Sequence, residues 1–283
     1  MTAVLRLLAL ALVAALALAG DAGGAPPTLP RAQVPPGAVV RWPGEALERC
    51  GRSGVEAWAP LGGACWYPVD LLQAKGEVRI FRIRGGAREE ALLVVGAYPY
   101  ETEHITLKDD RQVELSAADL ARSRREQAEV GKLWASRSPG RFSLPLSPPL
   151  TELPPGGRFG SRRFFNGQPR SPHSGADYRA AAGTPVLAVA DGRVVLAADH
   201  FFSGKSVFID HGDGLVSMSF HLSRIDVATG TEVKRGQPIG AVGATGRATG
   251  PHLHFALRWR GARIDPGLLL GPVEKVAKVS LAQ

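Results

Sequence analysis

Hydrophobic and basic residues alternate along one segment in the first third of the chain. Val78 to Arg84 largely alternates Val, Ile and Phe with Arg, and Gly85-Gly86 separates it from a second apolar run, Ala91 to Val95. Period-2 alternation is typical of a strand with one buried face, and a glycine pair suits a tight turn. The pattern therefore predicts a β-hairpin.

A helix is predicted further along, over residues 117–135. Ser116 is followed three residues later by Asp119, which resembles a helix-start capping pattern, and the stretch to Ser136 consists mainly of good helix formers. Its many arginines and glutamates indicate a solvated face rather than a binding surface.

The pattern changes from about Gly156 to Leu270, where short runs of Val, Ile, Leu and Phe alternate with turn pairs. These pairs are Asp191-Gly192, Asp213-Gly214, Thr229-Gly230 and Arg260-Gly261. Regularly spaced short strands predict an antiparallel all-β domain. The expected fold class is mainly β, with a C-terminal antiparallel β-sheet or half-barrel domain over residues 156–272 and a smaller N-terminal α+β domain over residues 38–137.

Two segments lack the pattern of regular structure. Residues 138–155 are dense in proline, which suits neither a helix nor a central strand, so we expect a semi-rigid, extended linker and a domain boundary there. Residues 21–37 are rich in Gly, Ala and Pro and predict a flexible lead-in.

The first residues have the pattern of a secretory signal. Arg6 precedes an apolar run from Leu7 to Leu18, and an Ala17-Leu18-Ala19 triplet follows. This predicts a cleavable signal over residues 1–19 and an exported protein, periplasmic or secreted. The run is shorter than the ~20 residues that span a bilayer, so we expect no stable membrane insertion after cleavage.

Cysteine and charge add two expectations. The chain has two cysteines, Cys50 and Cys65, which in an exported protein are compatible with one disulfide or with two buried thiols. The net charge of +8 favours an anionic partner. Because the basic residues are dispersed and no nucleic-acid motif accompanies them, we expect an anionic envelope polymer and no nucleic acid.

Six of the seven histidines lie at or after residue 173. Alternate residues of a strand share a face, so His252 and His254 project together while Leu253 points into the packing. His173 and Asp177, with Gly175 between them, supply a further imidazole and a carboxylate. Two histidines and one carboxylate are a familiar ligand set for catalytic zinc, with one coordination position left open.

The spacing His173-x3-Asp177 with a distant His252-x-His254 resembles the M23 family of zinc metallopeptidases, of the lysostaphin and LytM type. Further segments match in the same order over about 110 residues: Gly183-Thr184-Pro185-Val186, Ala190-Asp191-Gly192-Arg193-Val194, His221-Leu222-Ser223, Gly236-Gln237-Pro238-Ile239-Gly240 and Thr249-Gly250-Pro251. Any one of these segments alone is weak, and their order makes the resemblance specific. The family often has tyrosine where this chain has Ser219.

The resemblance implies one zinc ion per chain, held by His173, Asp177 and His254. It implies His252 as the general base and His221 as a second histidine that steadies the water or the transition state. The implied activity is that of a zinc endopeptidase that cuts peptide stems or crosslinks of peptidoglycan. Two alternatives stay open: a non-catalytic module that binds wall or activates another hydrolase, and a peptidase that acts on glycine-rich proteins.

Several residues receive weaker assignments. Arg162 and Asn166 resemble the approach to the first ligand in the family, and are either substrate contacts or structural residues. His211 is expected in a hairpin turn rather than at the metal, and Trp259 is expected in the core. His200 lines a groove or lies half-buried in a loop, and His104 has no assigned role.

Overall fold

The structure is a computed structural model and describes residues 28–107, 113–135 and 138–280. The signal predicted over residues 1–19 lies outside these ranges. None of the helices within them has the length and apolar character needed to cross a bilayer.

The first half of the described chain is mostly strand. Its elements are β1 (Arg31–Val34), β2 (Val39–Pro43), β3 (Leu47–Arg52), β4 (Ala64–Pro68), β5 (Gly76–Arg84), β6 (Ala87–Val95), β7 (Thr102–Ile105) and helix α1 (Ala117–Lys132). The predicted hairpin is confirmed, since β5 and β6 pair antiparallel in unbroken register. Gly85 and Gly86 form its turn with φ of 55° and 75°, angles that glycine adopts without a Cβ clash.

A four-stranded sheet in the order β1-β6-β5-β3 covers a small core. A disulfide joins Cys50 on β3 to Cys65 on β4 and lies entirely within that core. Of the two cysteine states that the sequence allowed, the structure has the bonded one.

The flexible lead-in expected over residues 21–37 is wrong for its last part. Strand β1 pairs parallel with β6, and its Ala32 and Val34 are buried while Arg31 and Gln33 are exposed. These four residues alternate apolar and polar side chains, a pattern that the surrounding glycines and prolines obscured.

The second half contains the larger sheet system. Its elements are β8 (Arg162–Phe165), β9 (Gln168–Pro169), β10 (Ala176–Tyr178), β11 (Pro185–Leu187), β12 (Gly192–His200), β13 (Gly204–Asp210), β14 (Leu215–Leu222), β15 (Arg224–Ile225), β16 (Glu232–Val233), β17 (Pro238–Ala241), β18 (Leu253–Trp259), β19 (Ala262–Ile264), α2 (Gly267–Leu270) and β20 (Ala277–Lys278). The main sheet runs β10-β18-β14-β13-β12-β16, with β19 beside β18. Its pairings are antiparallel, so the predicted fold class is confirmed.

The two faces of this sheet have different roles. On β18, Leu253, Phe255, Leu257 and Trp259 point into the largest hydrophobic core, each at most 1% exposed, so the expectation for Trp259 is confirmed. The residues between them, His254 among them, lie on the opposite face, where the chemistry is found.

The proline-rich segment lacks helix and strand, as predicted, but it is more than a linker. Leu146 and Leu150 are buried in the same core as β18. The Leu146 amide donates to the Leu269 carbonyl and the Leu187 amide donates to the Pro149 carbonyl. The segment is therefore bound along the C-terminal sheet system, and the domain boundary placed there stays a prediction.

The two halves of the described chain also share sheets. Strand β20 pairs with β2, and β7 pairs with β8. Trp66 of β4 packs against Trp259, with ring centroids 6.1 Å apart. The N-terminal half is therefore fixed against the C-terminal half by backbone pairing as well as by side-chain packing.

Helix α1 begins as predicted, with the Asp119 amide donating to the Ser116 hydroxyl. Most of its residues are exposed, which agrees with the expected solvated face. Its last turn and the 3-10 turn Leu133–Ala135 extend over the main sheet, where Val130, Leu133 and Trp134 pack against Phe208, Met218 and their neighbours. The helix thus lies on the same sheet face as His254.

Candidate active site

Strand pairing brings the predicted metal ligands together. Asp177 on β10 lies directly opposite His254 on β18. His173 precedes β10 and is held there by its backbone, since its amide donates to the Ser161 carbonyl and its own carbonyl accepts from the Gly160 amide. On the other side of β18, Phe220 of β14 also lies opposite His254. Three separate segments therefore meet at one point of the sheet.

Three ligand atoms converge at this point. His173 Nε2 lies 2.8 Å from His254 Nδ1, His254 Nδ1 lies 2.9 Å from Asp177 Oδ1, and His173 Nε2 lies 3.0 Å from Asp177 Oδ1. Among the described residues, His173, Asp177 and His254 are the histidine and acidic side chains whose ligand atoms lie close enough together to hold one metal ion. Two imidazoles and one carboxylate match the ligand chemistry of catalytic zinc, so the residues present fit the ion that the sequence predicted.

The backbone sets the tautomer of three histidines at the site. The Nδ1 atoms of His173, His221 and His252 lie 2.8–2.9 Å from the carbonyls of Arg158, Thr245 and Gly250. A carbonyl can only accept, so in each neutral imidazole Nδ1 carries the proton and Nε2 keeps its lone pair. This arrangement orients His173 as a metal ligand and leaves His221 and His252 with a basic nitrogen.

Asp177 is ionised in this environment. Burial alone would raise the pKa of its carboxyl group, but the close imidazoles of His173 and His254 outweigh burial and hold the pKa far below its ordinary value. Arg163 adds an ion pair, with Nη2 2.9 Å from Asp177 Oδ2. The second carboxylate oxygen is thereby occupied, and Oδ1 is left for the metal.

Gly175 has a steric role between the two ligands of its segment. A Cβ at this position would lie 2.6 Å from the Phe255 carbonyl oxygen and 2.7 Å from His254 Nε2. The missing side chain of Gly175 therefore allows this segment to approach β18 closely. A side chain at this position would displace either the strand or a ligand.

His221 is held in an unusual backbone conformation beside the ligands. Its φ is 63°, in the left-handed region that non-glycine residues seldom adopt. Burial, together with the proximity of His254 and His252, lowers its pKa to about 3. His221 is therefore neutral at physiological pH, and backbone strain at such a residue is characteristic of functional sites.

Aromatic packing supports the site from below. The Phe220 ring stacks on His254 with an interplanar angle of 7° and a centroid distance of 5.2 Å. The His221 and His252 rings lie 4.8 Å apart, and His252 Nε2 lies 3.8 Å from Asp177 Oδ1. Burial lowers the pKa of His254 to about 4, so its imidazole is neutral and able to bind a metal.

Comparison with known proteins agrees with this geometry. The family model for peptidase family M23 matches residues 171–266. A crystal structure of an M23 peptidase from Pseudomonas aeruginosa is 34% identical, covers 83% of this chain and 94% of its own, and has a TM-score of 0.62. The chain belongs to peptidase family M23.

Two relatives within this similarity have named activities. Peptidoglycan DD-endopeptidase ShyA of Vibrio cholerae is 45% identical over 95 residues, which are 34% of this M23 chain and 22% of ShyA. DD-carboxypeptidase/endopeptidase Mpg of Neisseria meningitidis is 39% identical over 110 residues, which are 39% of this chain and 25% of Mpg. The chain thus spans about a quarter or less of the length of these curated relatives.

The two residues suggested as substrate contacts in this M23 site have other surroundings. The Arg162 guanidinium lies 4.6 Å from the Tyr98 ring centroid. Asn166 accepts from the Leu107 amide and donates to the Leu107 carbonyl, which favours the structural alternative for this residue. Sequence reasoning missed the neighbour, Arg163, which contacts Asp177. Ser219, where the M23 family often has tyrosine, is buried in β14.

The remaining histidines lie away from the three ligands. His211 is fully buried, with Nδ1 2.9 Å from the Asp191 carbonyl and Nε2 2.8 Å from the Ser217 hydroxyl, so its exclusion as a metal ligand agrees with the structure. His200 is buried at the end of β12 and lines the cavity between α1 and the sheet, which favours the groove alternative. His104 stacks on Phe164.

Because His211 is buried, we expect the stability of this M23 fold to depend on pH. Burial lowers its pKa from 6.5 to about 4, so between these values the unfolded chain binds a proton that the folded chain does not. The contribution of this pKa shift to the free energy of unfolding is complete above pH 6.5. It decreases by about 3 kcal/mol as the pH falls from 6.5 towards 4. Urea unfolding in EDTA should show that the free energy of unfolding of wild type approaches that of His211→Gln as the pH falls from 7.5 to 4.5. Parallel curves would contradict the assignment.

Proposed function

We propose that this chain is an exported zinc metalloendopeptidase that hydrolyses peptide stems or crosslinks of bacterial peptidoglycan. The observation that carries the proposal is the complete set of groups at one point of the sheet. Three ligand atoms lie within 3.0 Å of one another, and two further histidines lie beside them with basic nitrogens available. The named activities of ShyA and Mpg support peptidoglycan as the substrate.

His173, Asp177 and His254 would hold the ion. Zinc bound there supplies Lewis-acid polarisation of the scissile carbonyl and makes water a competent nucleophile near neutral pH. Arg163 keeps Asp177 oriented by pairing with the oxygen that faces away from the two histidines. The Arg158 carbonyl fixes the ring of His173 in the same way.

His252 is suited to act as the general base. It lines the open cavity next to Asp177, and its Nδ1–H is held by the Gly250 carbonyl, so Nε2 faces the site as the proton acceptor. It would take a proton from the attacking water and return it to the leaving nitrogen. General bases of this kind contribute about 10² to 10⁴ in rate.

His221 has a different role because burial lowers its pKa to about 3, which makes it a weak proton acceptor. With Nδ1–H donated to the Thr245 carbonyl, its Nε2 is left to accept a hydrogen bond from water and could orient that water for attack. The left-handed backbone at His221 places the ring beside His252. A module that only binds wall would need neither of these histidines, so the geometry favours an enzyme.

Zinc dependence and activity can be tested together on the purified protein without residues 1–19. We expect about one zinc per chain and release of soluble fragments with new amino termini from isolated peptidoglycan. Chelation should abolish this release and added zinc should restore it. Absence of both zinc and release would overturn the proposal, whereas cleavage of a glycine-rich protein but not of peptidoglycan would favour the alternative substrate. Export is tested by sequencing the amino terminus of the protein recovered from the envelope fraction.

A further inference from the structure

An open cavity of about 850 Å³ lies directly beside the metal ligands. One wall is the chain from Pro154 to Arg158, and the other is the loop Thr249–His252. Its floor is the chain from Asp177 to Ala181, which hydrogen-bonds to the first wall through the Asp177 amide and the Gly157 carbonyl. A substrate peptide placed in this cavity would have His252 and Asp177 at one end.

The charged side chains that line the cavity are Arg158, Asp177 and Arg179, and the imidazole of His252 lies beside them. The carboxylate of Asp177 is already used, because His173, His254 and Arg163 surround it. The two arginines therefore give the cavity lining positive charge, which Glu103 offsets at Arg158. Metal binding would add further positive charge at the same end.

Arg179 is the less constrained of the two cations. It directly follows Tyr178, the last residue of β10, and lines the same cavity as Asp177. It is exposed, and within the described residues it makes no ion pair or side-chain hydrogen bond. Arg158 pairs with Glu103, with Nε 3.1 Å from Oε1.

Glu152 is an acidic residue in a hollow next to the cavity. Arg179 also lines this hollow. No ion pair within 4.0 Å joins the two among the described residues. The guanidinium of Arg179 is therefore available to an anionic ligand in the larger cavity.

From this arrangement we infer that Arg179, assisted by Arg158, is a specificity determinant that binds a free carboxylate of the substrate peptide next to the scissile bond. The inference rests on the proposed function and narrows its substrate class to acidic stem peptides, as opposed to neutral glycyl bridges. A carboxylate would form charge-assisted hydrogen bonds with the guanidinium, whereas a neutral bridge offers it no charged partner.

The test compares two forms of one substrate, a peptide dimer joined through a D-alanyl crosslink. One form has free side-chain and α-carboxylates, and in the other these are primary amides. For wild type with zinc we expect kcat/KM to be about tenfold higher on the carboxylate form, since a charge-assisted hydrogen bond is stronger than a neutral one but is weakened by solvent exposure.

Arg179→Gln should lower the ratio of kcat/KM on the carboxylate form to kcat/KM on the amide form to about one. Arg179→Lys should keep most of the wild-type ratio because the charge remains. Arg193→Gln, an exposed arginine on β12 outside this cavity, is the matched control and should keep the wild-type ratio. Arg158 is less suitable for substitution, because its φ of 73° and its carbonyl bond to His173 make structural damage expected.

The outcomes separate the inference from the proposed function. If wild type cleaves both forms equally, or if Arg179→Gln keeps the preference, Arg179 does not read a carboxylate although the enzyme is active. If wild type cleaves neither form and releases nothing from peptidoglycan, the proposed function fails, and the inference fails with it.

Discussion

Replacing His252 by alanine should reduce peptide hydrolysis at least about 100-fold while zinc binding persists. The reason is that His252 lines the open cavity and presents Nε2 to it, but the three converging ligand atoms come from His173, Asp177 and His254. Loss of the imidazole therefore removes proton transfer and leaves the ligand set complete. The measurement combines metal content of the purified variant with kcat on a crosslinked peptide.

His104→Ala is the matched control, because His104 stacks on Phe164 outside the ligand group. It should keep both zinc and activity. A His252→Ala protein that retained the wild-type rate would remove His252 from the mechanism. If His252→Ala instead lost hydrolysis but kept its full effect on cells, the non-catalytic interpretation would gain support.

Strand periodicity is local information, and it predicted one part of the site, whereas the assignment of the three ligands came from the family resemblance. His252 and His254 are two residues apart, so any extended conformation places them on one face. The pairing of Asp177 with His254, 77 residues apart, does not follow from such a rule and came from the family resemblance. The structure supplies the register that makes this pairing possible.

Arg163 was missed for the same physical reason. Its contact with Asp177 depends on where β8 lies, and β8 is positioned by parallel pairing with β7 across more than 50 residues of chain. Alternation along β8 cannot indicate which of Arg162 and Arg163 faces the site. The choice is made by a long-range pairing that leaves no local pattern.

The fold was predicted best where short strands have clear turns between them. Segments rich in proline and glycine were judged by composition, and there the prediction was weakest. Leu146 and Leu150 are isolated apolar residues among prolines, yet both are buried, because the C-terminal core offers sites for them. A single apolar residue in an irregular segment carries no periodicity, so only the tertiary structure reveals its burial.

Asp177→Asn should lower zinc affinity at least about 100-fold and reduce hydrolysis in proportion. Even indirect partners of a metal ligand contribute about 10 to 100-fold in affinity, so loss of a ligand charge should exceed that range. The amide keeps the shape of the side chain but brings no negative charge to the ion, and Arg163 loses one of its two ion-pair partners while Glu103 remains.

Competition with a chelator of known affinity measures the change, and Asp226→Asn is the matched control. Asp226 pairs with Arg224 away from the ligand group, so its loss should leave zinc affinity unchanged. Arg163→Met separates charge from ligation, because it removes the partner of Asp177 Oδ2 and keeps all three ligand atoms. We expect the zinc affinity of Arg163→Met to lie between those of wild type and Asp177→Asn. An Asp177→Asn protein with wild-type zinc affinity would show that the ion is held elsewhere, and the convergence of His173, Asp177 and His254 would then need another explanation.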